Sequence, residues 1–187
     1  MSPRTDYSDS ELALEEVRRA VRSVPAKVLD EVAQELARAK VVTAFAGGRE
    51  GLVLRGLVMR LYHAGADAHY VGEMTCPAVG DGDVLVLSSG PGNASMVKAL
   101  ASVARRAGAR VLYFTAEPQV SPAELADVVV VIQAQTMAND RGSTSVLPMG
   151  SCFEIALLLL VDLITNRVRE LHALPLDRMR ARHTNLE

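Results

Sequence analysis

Apolar side chains recur at helical spacing along the first 40 residues, at Leu12, Leu14, Val17 and Val21 and again at Val28, Val32 and Leu36. Pro25 interrupts the run after Ser23 or Val24 and suits the first turn of a second helix, so a helical pair is expected over residues 1–40. From Val41 the pattern contracts to short apolar runs separated by glycine-marked breaks. Residues 41–46, 68–71, 84–87, 110–115 and 128–132 read as strands, with helices over 52–63 and 93–107 and a short one over 122–125. Gly108 stops the second of these helices. Strand and helix alternate with short connections, which is the pattern of a parallel α/β sheet. Residues 133–148 show no period; from Gly150 an apolar-rich helix extends to about His172, Pro175 stops it, and a charged tail occupies 177–187.

Two loops interrupt this alternation with paired glycines, Gly47-Gly48-Arg49-Glu50-Gly51 after the first strand and Ser88-Ser89-Gly90-Pro91-Gly92 after the third. Both fall at the carboxyl end of the sheet, where open α/β sheets bind ligands. In the second, Asn93-Ala94-Ser95 opens a helix whose first N–H groups are unpaired, so the junction suits an anion or a sugar oxygen. Gly90 and Gly92 permit close approach to the backbone, although turns of this kind are also purely structural in many parallel α/β domains.

At 187 residues the chain suffices for one domain, and its 49% hydrophobic but only 4% aromatic composition describes the aliphatic interior of a sheet covered on both faces. A net charge of -2 gives no electrostatic reason to expect nucleic acid or an anionic membrane as partner. Cys76 and Cys152 form no CxxC pair and have no histidine cluster to complete a zinc site, so they read as free thiols. The acidic, polar start is unlike a signal or transit peptide, and the longest apolar run, residues 155–161, is far short of the roughly 20 residues that span a bilayer. A cytoplasmic location is expected.

Six motifs follow one another along the chain: Gly48-Arg49-x-Gly51, Met59-Arg60-Leu61-x-His63, Val71-Gly72-Glu73-x-Thr75-x-Pro77, Ser89-Gly90-x-Gly92, Pro148-Met149-Gly150-x-x-Phe153-Glu154 and Arg182-His183-x-Asn185-Leu186. As an ordered set they resemble the 6-phospho-3-hexuloisomerase branch of the sugar isomerase (SIS) domain family. The resemblance implies a three-layer α/β/α fold with a five-stranded parallel sheet, a homotetramer, and active sites built between subunits, with the tail of residues 173–187 reaching the site. It also implies carbonyl transfer between C3 and C2 of a hexulose 6-phosphate through an enediol, without metal or redox cofactor. Carried over by position, Glu154 is the carboxylate base and His183 the family histidine. Independently, Glu154 is the only charged residue between Arg141 and Asp162, and burial at the start of an apolar helix would raise its pKa toward that of a general base. A carboxylate in a helix's first turn is also favoured by the helix dipole. Substrate-binding candidates are Gly47, Gly48, Arg49, Glu50, Ser88, Ser89, Gly90, Gly92, Asn93 and Ser95, with Glu73 and Thr75 after the second strand. For Arg49, a structural ion pair is an equal alternative.

The chain departs from the family pattern at three positions. Glu50 and Pro91 stand where serines would, and Ala94 where a threonine would; in the family these hydroxyls hold the substrate phosphate. Hydrogen bonds to charged groups contribute about 1.5–3 kcal/mol each, so the phosphate cup is rewritten while the proton-transfer groups are kept. Glu50 is expected to act as a built-in anion in that space. Either the ligand lacks the phosphate, or the phosphate is displaced toward Ser88, Ser95 and Arg49. The second functional reading is a non-catalytic or regulatory SIS domain that binds a sugar or sugar phosphate. No helix-turn-helix pattern precedes the first strand to support a self-contained DNA-binding regulator.

Overall fold

The computed structural model describes residues 7–120, 122–142 and 144–186. Two helices, α1 (Ser8–Arg22) and α2 (Ala26–Arg38), lead into β1 (Val42–Ala46), α3 (Gly48–His63), β2 (Ala68–Tyr70) and β3 (Val84–Ser88). Next come α4 (Ser95–Ala107), β4 (Arg110–Thr115), a single 3-10 turn (Ala123–Leu125), β5 (Val128–Val131), α5 (Ser151–Leu171) and α6 (Leu176–Ala181). The five strands are parallel in the order β2-β1-β3-β4-β5. Chain direction across the sheet reverses between β1 and β3, so the crevice at the carboxyl ends of these two strands is the topological switch point.

The sheet buries both faces, and side-chain alternation assigns them. Val84, Val86, Leu112, Phe114, Val128 and Val130 pack with α1, α2, α3 and α5, whereas Leu85, Leu87, Val111 and Tyr113 pack with α4. The sandwich is therefore lopsided, with α5 at the centre of the thicker layer, against α1, α2 and α3. His172 ties its far end by contacts of 3.0 Å to the Ala64 carbonyl and 3.1 Å to that of Ala37. At the amino end of the sheet, Asp83 accepts hydrogen bonds from the N–H groups of Gly80 and Val41, and Asp127 from that of Val111. Loop donors at that end are consumed by the fold, which leaves ligand chemistry to the carboxyl end.

Three boundaries differ from the expected ones. The loop expected over 47–51 is the opening turn of α3: Gly47 is extended, and the Gly51 N–H donates to the Gly47 carbonyl at 3.2 Å. Gly51 is required by space, since a Cβ there would lie 2.6 Å from the Ala46 carbonyl oxygen and 2.8 Å from the Tyr70 hydroxyl. Helix α4 begins at Ser95 rather than Asn93, because Ala94 is extended and has no side-chain cap. The charged tail contains a helix, α6, which Pro175 starts as well as ending the preceding segment.

Candidate active site

Because α3 starts directly at the end of β1, Glu50 in its first turn reaches across the switch point to β3. The Ser88 hydroxyl donates to Glu50 Oε2, and the Gly90 N–H donates to Oε1 at 2.9 Å. Burial pushes the Glu50 carboxyl above its ordinary value of 4.5; the Ser88 and Gly90 hydrogen bonds pull it back and the charge of Glu154 adds to the rise. Gly90 owes its lack of a side chain to α5, since a Cβ would sit 3.0 Å from the Phe153 ring. Gly92 lies in the left-handed region at φ 78° and closes a tight turn by donating to the Ser89 carbonyl at 3.0 Å.

Facing Glu50 is the first turn of α5. Two consecutive left-handed residues, Met149 (φ 56°) and Gly150 (φ 84°), precede it. A methionine in that region carries strain of order 1–3 kcal/mol, which the packing around the turn must sustain. Glu154 emerges one turn later with its side chain 14% exposed, its Oε2 2.9 Å from Arg49 Nη2. The two meet as an ion pair without hydrogen-bond alignment, and this buried oxygen has no hydrogen-bond donor. Arg49 Nη1 donates instead to Ser151 Oγ at 3.0 Å, tying the start of α3 to the start of α5. Burial raises the Glu154 pKa and the Arg49 charge partly lowers it again.

Between the two carboxylates lies a narrow cleft of about 40 Å³, lined by Glu50, Gly90, Pro91, Thr136, Met137, Met149, Gly150, Phe153 and Glu154. Thr136 and Met137 were not candidates; they come from the aperiodic stretch before α5, where no spacing marks them. Other candidates lie apart from this cleft. Asn93 and Ser95 are exposed near the start of α4, and Ser89 is buried with its carbonyl accepting from the Tyr113 hydroxyl. Glu73 accepts from the Tyr70 N–H and stands 4.0 Å from Arg55, while Thr75 is exposed beside it. Gly47 and Gly48 shape the turn that delivers Arg49 and Glu50.

His183 lies beyond α6 and lines a separate, open hollow of about 660 Å³ with Met59, Tyr62, His63, Arg182 and Asn185. Its ring stacks on His63 with centroids 5.3 Å apart, and Arg182 donates to the Tyr62 carbonyl while its guanidinium covers the Tyr62 ring at 4.3 Å. One chain therefore does not bring His183 to Glu154. The hollow is the larger of the two, and His63 on its wall is buried while His183 and Asn185 are exposed; the cleft differs in holding two shielded carboxylates. Among the described residues no group of three His, Cys, Asp or Glu side chains is placed to hold a metal ion, and no helix is long and apolar enough to cross a membrane.

Similarity to known proteins follows the same lines. The SIS domain pattern matches residues 57–159, which includes Glu154 and begins just past Glu50. A Mycobacterium gastri protein named 3-hexulose-6-phosphate isomerase is 37% identical over 175 residues, covering 91% of this chain and 88% of its own. A Bacillus subtilis protein of the same name is 29% identical, covering 93% and 95%. The crystal structure of a hypothetical protein from Methanococcus jannaschii, with an inferred function of 3-hexulose-6-phosphate isomerase, superposes with a TM-score of 0.84 at 26% identity, covering 96% of this chain and 99% of that one. With the likeness extending over nearly the whole length in sequence and in fold, the chain belongs to the SIS domain family, in its 6-phospho-3-hexuloisomerase-like branch.

Proposed function

We propose that the protein is a hexulose isomerase that moves the carbonyl between C3 and C2 through an enediol, with Glu154 as the base. The observation that carries this reading is Glu154, a carboxylate 14% exposed that lines a cleft at the switch point, its buried Oε2 lying against the Arg49 guanidinium with no aligned hydrogen-bond donor. The carboxylate takes the proton from C2 as the C3 carbonyl oxygen gains one, giving a C2–C3 enediol. It then returns a proton to C3 while the C2 hydroxyl loses its own and becomes the carbonyl. A raised pKa suits a group that must both accept and give back a proton near neutrality. Arg49, 60% exposed, balances the ionised form without locking it. The names of the 37% and 29% identical relatives support the reaction class.

The hydroxyl proton needs a second group, and His183 from another subunit's tail fills that role. Exposed apolar side chains on neighbouring helices, Leu52 and Met59 on α3 and Ile155, Leu158 and Leu159 on α5, support a homo-oligomer, a tetramer by the family resemblance, that covers them. We place the enzyme in the cytoplasm, as one domain over residues 1–187, acting on a small sugar without nucleic acid or membrane partners. Glu154→Gln and His183→Ala are each expected to lower turnover by about a hundredfold or more with the circular dichroism spectrum unchanged. Because the two residues come from different subunits, dissociating and reassembling the two variants together restores part of the activity. Full turnover in Glu154→Gln would remove the assigned base, and two inactive variants that never complement would remove the shared site.

A further inference from the structure

Resting on that reading, we infer that Glu50 is a resident anion filling the polar cup at the end of β3, and that it directs the site to hexuloses carrying no phosphate. The inventory of donors at the cup supports this. The Ser89 N–H is engaged with the Phe114 carbonyl, the Gly90 N–H with Glu50 Oε1, and the Gly92 N–H with the Ser89 carbonyl, while Pro91 has no N–H to offer. The Ser88 hydroxyl donates to Glu50 Oε2. From Ser88 to Gly92, the Ser88 hydroxyl and the N–H groups of Ser89, Gly90 and Gly92 are taken by the chain, and Pro91 offers none.

Charge points the same way. Glu50 and Glu154 line the same cleft, the charge of Glu154 acts on Glu50, and one guanidinium, Arg49, is 60% exposed and already paired with Glu154. A phosphate dianion brought to this cup would meet two carboxylates and displace the ligand of both Ser88 and Gly90. A neutral hexulose meets no such opposition. Each Glu50 oxygen holds one donor and retains acceptor capacity, which sugar hydroxyls, as donors, can fill.

The test is calorimetric binding of fructose, fructose 6-phosphate and inorganic phosphate to the wild type, Glu50→Ser and Glu50→Gln. Wild type is expected to bind fructose 6-phosphate no more tightly than fructose. Glu50→Ser, which frees both donors and removes the charge, is expected to shift the preference toward the phosphate ester by about tenfold or more, equivalent to about 1.4 kcal/mol. Glu50→Gln removes only the charge, keeps the shape, and is expected to shift it in the same direction by less. A wild type that prefers fructose 6-phosphate by tenfold, or a Glu50→Ser variant whose preference does not move, overturns the inference. Because binding is read without turnover, an unchanged rate in Glu154→Gln would overturn the isomerase reading and leave this preference to be judged by itself.

Discussion

On the α3 side of the cleft, Glu50 has both oxygens held by donors of β3 and its loop. On the α5 side, Glu154 has one oxygen against an exposed cation and no donor on it. Magnitudes separate their roles. Two hydrogen bonds to a carboxylate contribute about 1.5–3 kcal/mol each, so displacing Glu50 is expensive. An ion pair with a mostly exposed partner contributes about 0–1 kcal/mol, so Glu154 can exchange Arg49 for a substrate at little loss. The same residue type is a fixture on one wall and the proposed reagent on the other, and the difference is made by what surrounds it.

The larger expected effect that sharpens this contrast comes from Arg49. Glu154 must be ionised to take a proton, so turnover falls as pH drops through its pKa. Burial holds that pKa above 4.5 and Arg49 lowers it part of the way back. In Arg49→Met the lowering is lost, so the acid limb of the kcat/KM profile moves to higher pH. Turnover at about pH 5 drops several-fold relative to the plateau at about pH 8. An acid limb that stays in place would mean that Arg49 does not set the ionisation of Glu154.

A smaller effect is expected in stability, on the Glu50 side. Its folded pKa is raised above 4.5, so between 4.5 and that raised value the folded chain keeps a proton that the unfolded chain has released. The stabilisation this represents is complete below the unfolded pKa and is lost as pH rises through the folded one. Glu50→Gln, whose amide can donate to Ser88 Oγ while its oxygen accepts from Gly90, has no such loss. Its melting temperature should match the wild type at about pH 4 and exceed it at about pH 8. For a chain of this size, each kcal/mol of gain appears as about 2–4 °C. A wild type that is more stable than Glu50→Gln at high pH would show the charged form to be favoured by its donors despite burial.

The strand positions and the long helix α5 were legible because aliphatic runs bounded by glycine and proline have few other solutions. The start of α3 was not. Three glycines in five residues read as loop, and the reason for Gly51, the carbonyl of Ala46 and the hydroxyl of Tyr70, exists only once β1 and β2 are paired. Glu50 was recognisable as an anion in the phosphate space from the family resemblance together with its place at a helix start, whereas its partners depend on the β1–β3 register that sets Ala46 opposite Ser88. Thr136 and Met137 lie in an aperiodic stretch, and nothing local announces that it folds over the cleft. His183 carried a motif but no address: its sequence neighbours do not say that its ring rests on His63.

Proton transfer by Glu154 is the central claim, and hydrogen exchange reads it most directly. A hexulose, in phosphorylated and free forms, is incubated in D2O with the wild type or with Glu154→Gln and followed by proton NMR. The account predicts that the wild type replaces the proton on the carbon beside the carbonyl with deuterium as the ketoses interconvert. With Glu154→Gln both exchange and interconversion fall by about a hundredfold or more. Exchange and interconversion at the wild-type rate in Glu154→Gln would contradict it.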